Sequence, residues 1–170
     1  MRNHRGFTLT EMIVVIAIVA ALAGISYPVA HSMIAKSRES ACIDKLRNLG
    51  VALQSSIDDA GGQLPDLKSA RSHKNEDVPV LETFLLSYAG SEEAFHCPAD
   101  RKEFKKTGSS YLWNSTQSGR YLSQLSFFGM SQQLEKIPLI TDKESWHPNE
   151  TNFLYADLSV SRKARFEVGN

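Results

Sequence analysis

The stretch Arg5-Gly6-Phe7-Thr8-Leu9-Thr10-Glu11 runs straight into Met12-Ile13-Val14-Val15-Ile16-Ala17-Ile18-Val19-Ala20-Ala21-Leu22-Ala23-Gly24-Ile25. A short basic head is followed by a glycine, an aromatic residue and about twenty apolar residues, enough to cross a bilayer at about 1.5 Å per helical residue. Glu11 interrupts this run. An acidic side chain at the centre of a membrane helix costs roughly 2.5–3.5 kcal/mol on insertion scales, so an ionisable group there asks for a partner.

An amine answers that demand. Cleavage after Gly6 would leave the α-ammonium of Phe7 one helical turn from Glu11. The two could meet within one chain, or between chains staggered by about a turn, giving a membrane-stored subunit that polymerises through its apolar helix. Two other readings compete. A cleaved secretory signal has a shorter apolar core and a small-residue site after it. An uncleaved anchor explains the length but not Gly6, Phe7 and Glu11 together.

Gly6-Phe7-Thr8-Leu9-Thr10-Glu11 resembles the class III signal of type IV prepilins and type II secretion pseudopilins. That resemblance implies cleavage between Gly6 and Phe7 by a prepilin peptidase, N-methylation of Phe7, and a role for Glu11 and Phe7 in assembly. Pro28 stands where the family commonly has a helix-breaking proline. Thr10 and Met12 flank the glutamate where the family usually has aliphatic residues.

Bulk composition fits a folded chain. Of 170 residues, 42% are hydrophobic and 22% charged, and the formal net charge is zero. Removing Arg2 and Arg5 with a leader would leave 17 basic against 19 acidic side chains, which is not the balance of a nucleic-acid binder. The charges around the apolar run set its orientation only weakly. The prepilin resemblance is what implies a cytoplasmic N-terminus and a C-terminal domain in the periplasm. The two cysteines, Cys42 and Cys97, are either a disulfide, favoured by an oxidising compartment, or two separate small buried residues.

Beyond Ser26-Tyr27-Pro28, where proline predicts a kink or local melting, Cys42, Leu46, Leu49, Leu53 and Ile57 recur at helical spacing. Lys36, Arg38, Glu39, Asp44, Arg47, Asn48 and Gln54 fill the polar face, and Gly61-Gly62 supplies the stop. Gln63 to Pro79 reads as an exposed loop, and Val80 to Tyr88, closed by Gly90, as a short helix. Lys102 to Ser109 reads as polar and turn-like, and Ser110 to Asn114 as a strand. Ser115 to Gln133 reads as an insertion with one short helix. Lys136 to Asp142 reads as a strand, with Pro138 at an edge or a strand start. Residues on either side of Asp157-Leu158-Ser159 read as a hairpin. A striped helix needs a sheet face to cover it. The expected fold is therefore α+β: a long N-terminal α-helix packed on a small antiparallel sheet.

A second resemblance covers the soluble part. The cysteine-led helix, Gln63-Leu64-Pro65, Cys97-Pro98-Ala99-Asp100 and Ser110-Tyr111-Leu112-Trp113-Asn114 are similar to a group of pseudopilin-like proteins in which a histidine precedes an Asp-Gly pair. His147 and Asp157 have that separation, but Leu158 replaces the glycine, so a different turn is expected there. Calcium enters because some major pseudopilins bind it in their C-terminal loops. Asp142 and Asp157, with Glu144, Asn149 and Asn152, offer oxygens, yet their spacing matches no calcium loop. No cofactor is expected, and His147 lacks spaced co-ligands for a transition metal. Enzymatic motifs are absent, so no catalytic residue is assigned. Tyr111, Trp113, Trp146, Phe153 and Tyr155 are either one face of a sheet core or a partner surface.

The expected organisation is a leader over residues 1–6, a transmembrane and assembly helix over 7–29, its amphipathic continuation over 30–60, and a globular periplasmic domain over 61–170. The expected function is a non-enzymatic filament subunit in the bacterial inner membrane, most simply of a type II secretion pseudopilus. Its partners would be prepilin peptidase, copies of itself and other pseudopilins, an assembly platform and membrane lipid, with no nucleic acid. The alternatives are a major or minor type IV pilin, serving adhesion, motility or DNA uptake, and a membrane-anchored periplasmic binding protein.

Overall fold

The computed structural model describes residues 8–147 and 151–166. The chain falls into two compact units, one ending at Lys36 and one starting at Ser37. Helix α1, Leu9–Asp59, contributes to both. In the first unit it carries one span long and apolar enough to cross a membrane, none of it buried by protein. Ile16, Leu22 and Ile25 are all exposed. The helix runs through Pro28 without interruption, so the local melting expected there is not observed.

In the second unit the far half of α1 is the backbone of the core. Cys42, Leu46, Leu49, Leu53 and Ile57 are all buried, as their spacing predicts. They pack in one cluster with Tyr111, Trp113, Leu139, Ile140 and Leu154. Gly50 faces the sheet, where a Cβ would come 3.0 Å from Leu154 Cδ1. The helix ends at two glycines with positive φ, Gly61 at 65° and Gly62 at 93°, and Gly62 N–H reaches back to Ile57 O. This left-handed C-cap satisfies a carbonyl the helix leaves open.

The sheet has four antiparallel strands: β1 (Tyr111–Trp113), β4 (Pro138–Asp142), β5 (Phe153–Tyr155) and β6 (Val160–Ser161), in the order β1-β4-β5-β6. Pro138 opens β4, which is a central strand, so the proline marks a strand start and not an edge. The segment after β1 holds 3₁₀ turns at Ser115–Gln117 and Leu122–Gln124 and a two-stranded ribbon of β2 (Ser126–Phe127) and β3 (Met130–Ser131), not the single short helix expected. The expected helix before Gly90 divides at Leu85 into α2 (Leu81–Phe84) and α3 (Leu86–Ala89).

Two loop expectations change. Lys102 to Ser109 contains helix α4 (Glu103–Thr107), started by Asp100, whose carboxylate accepts from the backbone N–H groups of Lys102, Glu103 and Phe104. The connection from Gln63 lacks regular structure but buries Leu64 and Leu67, because Leu64 N–H and Leu67 N–H are tied to Arg120 O and Ser118 Oγ. A loop whose backbone bonds are made by neighbouring segments can be covered without an unsatisfied donor.

Candidate functional site

The head of α1 is built by four residues. Thr8 precedes the helix; its backbone N–H and its hydroxyl both donate to Glu11 Oε2, each at 2.8 Å. Glu11 N–H returns a bond to Thr8 Oγ1 at 3.3 Å. Thr8-Leu9-Thr10-Glu11 is thus a reciprocal capping box, in which each side chain satisfies the other residue's backbone donor. Its signal in the sequence is Thr-x-x-Glu before an apolar run. Glu11 therefore has a local partner that owes nothing to Phe7. Gly6 and Phe7 themselves lie outside the described residues.

A second cluster is buried between α1 and the end of β4. Cys42 and Cys97 form a disulfide with a Cα–Cα distance of 4.8 Å, which resolves the pairing left open by sequence. His147 Nε2 lies 3.6 Å from Cys97 Sγ and 3.5 Å from Asp142 Oδ2. The side chains of His147 and Asp142 are 1% and 0% exposed. Asn152 fixes Asp142 with two bonds of 2.9 Å to Oδ2, one from its backbone N–H and one from its side-chain amide. Burial pushes the Asp142 carboxyl up to about 7, against the lowering effect of Asn152 and with help from the Glu39 charge. Burial also lowers His147 below its ordinary value, opposed by Glu39. Near neutral pH the two groups are thus driven toward their uncharged forms, and their approach is not a strong ion pair.

Glu39 belongs to this region and not to the polar face where its spacing was read. It is buried, three residues before Cys42, with Arg162 Nε 3.4 Å from its Oε1. A residue at i−3 from a stripe position shares that stripe's face.

The two aspartates offered for calcium, Asp142 and Asp157, do not converge, and Asn149 lies outside the described residues. Asp142 ends β4 beside Asn152, whereas Asp157 lies beyond Tyr155, which pairs with Pro138 at the opposite end of β4. Five strand residues separate these ends by about 13 Å. Asp157 instead closes the β5–β6 turn, its Oδ1 accepting from Ser159 N–H and Oγ–H. That turn also corrects an expectation: Leu158 takes φ 63°, the conformation for which glycine is suited. His147 meets Asp142 and the disulfide. Of the aromatic residues, Tyr111, Trp113 and Tyr155 are core, while Trp146 and Phe153 are half-buried.

Residues 1–27 match the prokaryotic N-terminal methylation motif. The N-terminal segment is therefore prepilin-type. The chain is 31% identical over 83 residues to fimbrial protein Q of Moraxella bovis, an alignment covering 49% of this chain and 52% of that protein. The chain spans about half the length of this curated relative. No solved structure matches it significantly.

Proposed function

We propose that this chain is a structural filament subunit. Prepilin peptidase cuts between Gly6 and Phe7 and methylates Phe7. The subunit waits as a single-pass inner-membrane protein with its α+β domain in the periplasm. An assembly platform then draws it from the lipid into a helical array with copies of itself and related subunits. The observation that carries this reading is the prepilin motif over residues 1–27 leading into an exposed apolar helix. A catalytic role has little support, since the titratable pair Asp142 and His147 is sealed from solvent.

Within the filament class, the resemblance of the soluble segment favours a type II secretion pseudopilus. The similarity to a fimbrial protein favours the second reading, a type IV pilus. Deleting the gene separates them: loss of exported proteins from the medium with surface fibres intact supports the pseudopilus, and loss of fibres with normal export supports the pilus.

Glu11 acts in assembly through its charge, in addition to its cap. Glu11→Gln keeps a side chain that can complete the capping box but removes the charge; Glu11→Ala removes both. Both variants should be cleaved normally and both should fail to form filaments. Normal filament yield from Glu11→Gln would overturn the charge role and leave the cap as the sole function of this residue.

A further inference from the structure

We propose that, before the disulfide closes, Cys42 Sγ, Cys97 Sγ and His147 Nε2 form a buried site for one zinc-like divalent cation, with Asp142 Oδ2, 3.5 Å from His147 Nε2, moving in as fourth donor. The three ligand atoms lie within 4.8 Å of one another, and all three residues are buried. On tetrahedral zinc, bonds of about 2.3 Å to sulfur and about 2.0–2.1 Å to nitrogen or oxygen place sulfur about 3.6 Å from nitrogen and nitrogen about 3.3 Å from oxygen. The observed separations are 3.6 Å from His147 Nε2 to Cys97 Sγ and 3.5 Å to Asp142 Oδ2. Two thiolates on the same ion stand about 3.8 Å apart, a spacing reached once the two sulfurs are no longer bonded. An S₂NO donor set of this kind suits zinc among common divalent metals.

Independent polar geometry points the same way. Asp142 is held by Asn152 from one side, the arrangement by which outer groups orient a ligating carboxylate. Its other oxygen, Oδ1, is buried without a hydrogen-bond partner. Disulfide and cation are mutually exclusive, since each uses both sulfurs. Metal binding replaces acid protons: two thiols, one neutral imidazole and the Asp142 carboxyl take up the dication, and the two thiol protons leave to solvent together with the carboxyl proton where it is still held. Closure then requires loss of the cation and a disulfide-bearing oxidant, which accepts two electrons and two protons from the thiols and becomes a dithiol. The cation would thus hold the segment between Cys42 and Cys97 closed in the reduced domain.

The test uses the full chain in detergent, produced without oxidation and handled anaerobically in a phosphine reductant. Titration with Co²⁺ should give one equivalent of tetrahedral cobalt with thiolate charge-transfer bands, displaced by Zn²⁺. The disulfide form should give none. His147→Ala should weaken binding at least tenfold. Absence of a tetrahedral spectrum in the reduced wild type overturns the proposal, as does an unchanged affinity in a folded His147→Ala chain. A measurement on wild type alone covers the case of an unfolded variant. Equimolar Zn²⁺ should slow Cys42–Cys97 closure by a disulfide oxidant at least tenfold, and an unchanged rate overturns the site. None of these readouts depends on filament formation.

Discussion

At the scale of single residues, buried polar groups are where the structure adds most to the sequence. Asp142 read as a strand-end carboxylate with oxygens to offer and is a core carboxyl; Glu39 read as part of the polar face and is covered. Glu39 stands at i−3 from Cys42, so its spacing already placed it on the stripe's face, although its partner Arg162 comes from far along the chain; Asp142 is covered by His147 and Asn152 from the loop that follows it, which no periodicity marks. Asp142 gives a pH signature in the disulfide form. Unfolded, its carboxyl titrates at about 3.9; in the fold, burial pushes it up to about 7. Between those values the folded state keeps a proton that the unfolded state has lost. Its contribution to stability is present below the lower value and declines as pH rises to the upper one, by a few kcal/mol in all. Glu39, His147 and Arg162 face the same region, so the comparison must be with Asp142→Asn. Denaturant unfolding should show the wild type losing stability relative to that variant between pH 4 and 7, and parallel curves would contradict the assignment. At the β5–β6 turn, Leu158 holds φ 63°. Leu158→Gly relieves about 1–2 kcal/mol of backbone strain and adds up to about 1 kcal/mol of unfolded-state entropy. A small rise in Tm is expected, and a fall would show that the leucine side chain contributes packing that outweighs its backbone cost.

Single elements were read with uneven success, for physical reasons. The α1 stripe was legible because Cys42, Leu46, Leu49, Leu53 and Ile57 repeat at 3.6 residues, and period is a local property. Strands β1, β4 and β5 were legible from apolar runs bounded by turn residues. Helix α4 is hidden in the sequence because its main stabiliser, Asp100, lies three residues before Glu103, outside the polar stretch from Lys102 to Ser109 that reads as turn-like. Asp100→Ala should remove three capping bonds and the bond from Ser110, costing about 1–2 kcal/mol by thermal unfolding. A loss below experimental error would show that the cap does not hold α4. The helix–sheet contact has its own test at Gly50. Leu154 is fully buried and cannot yield freely to a new side chain. Gly50→Val should destabilise the domain by about 1–3 kcal/mol through overpacking. An unchanged midpoint would mean that α1 and β5 separate easily.

For the molecule as a whole, the division of labour is set by where apolar surface is left uncovered. The second unit buries its stripe against a sheet, while the first leaves Ile16, Leu22 and Ile25 exposed over a bilayer-length helix. A surface of that size must find lipid or other helices. The Thr8–Glu11 capping box refines the account, because it gives the acid a partner in each isolated chain, so the charge of a processed N-terminus has to compete with it. The most direct measurement is the intact mass of the chain extracted from membranes of cells with active prepilin peptidase. The expected mass is that of the chain without residues 1–6 and with one added methyl group. A chain that still begins at Met1 would contradict it.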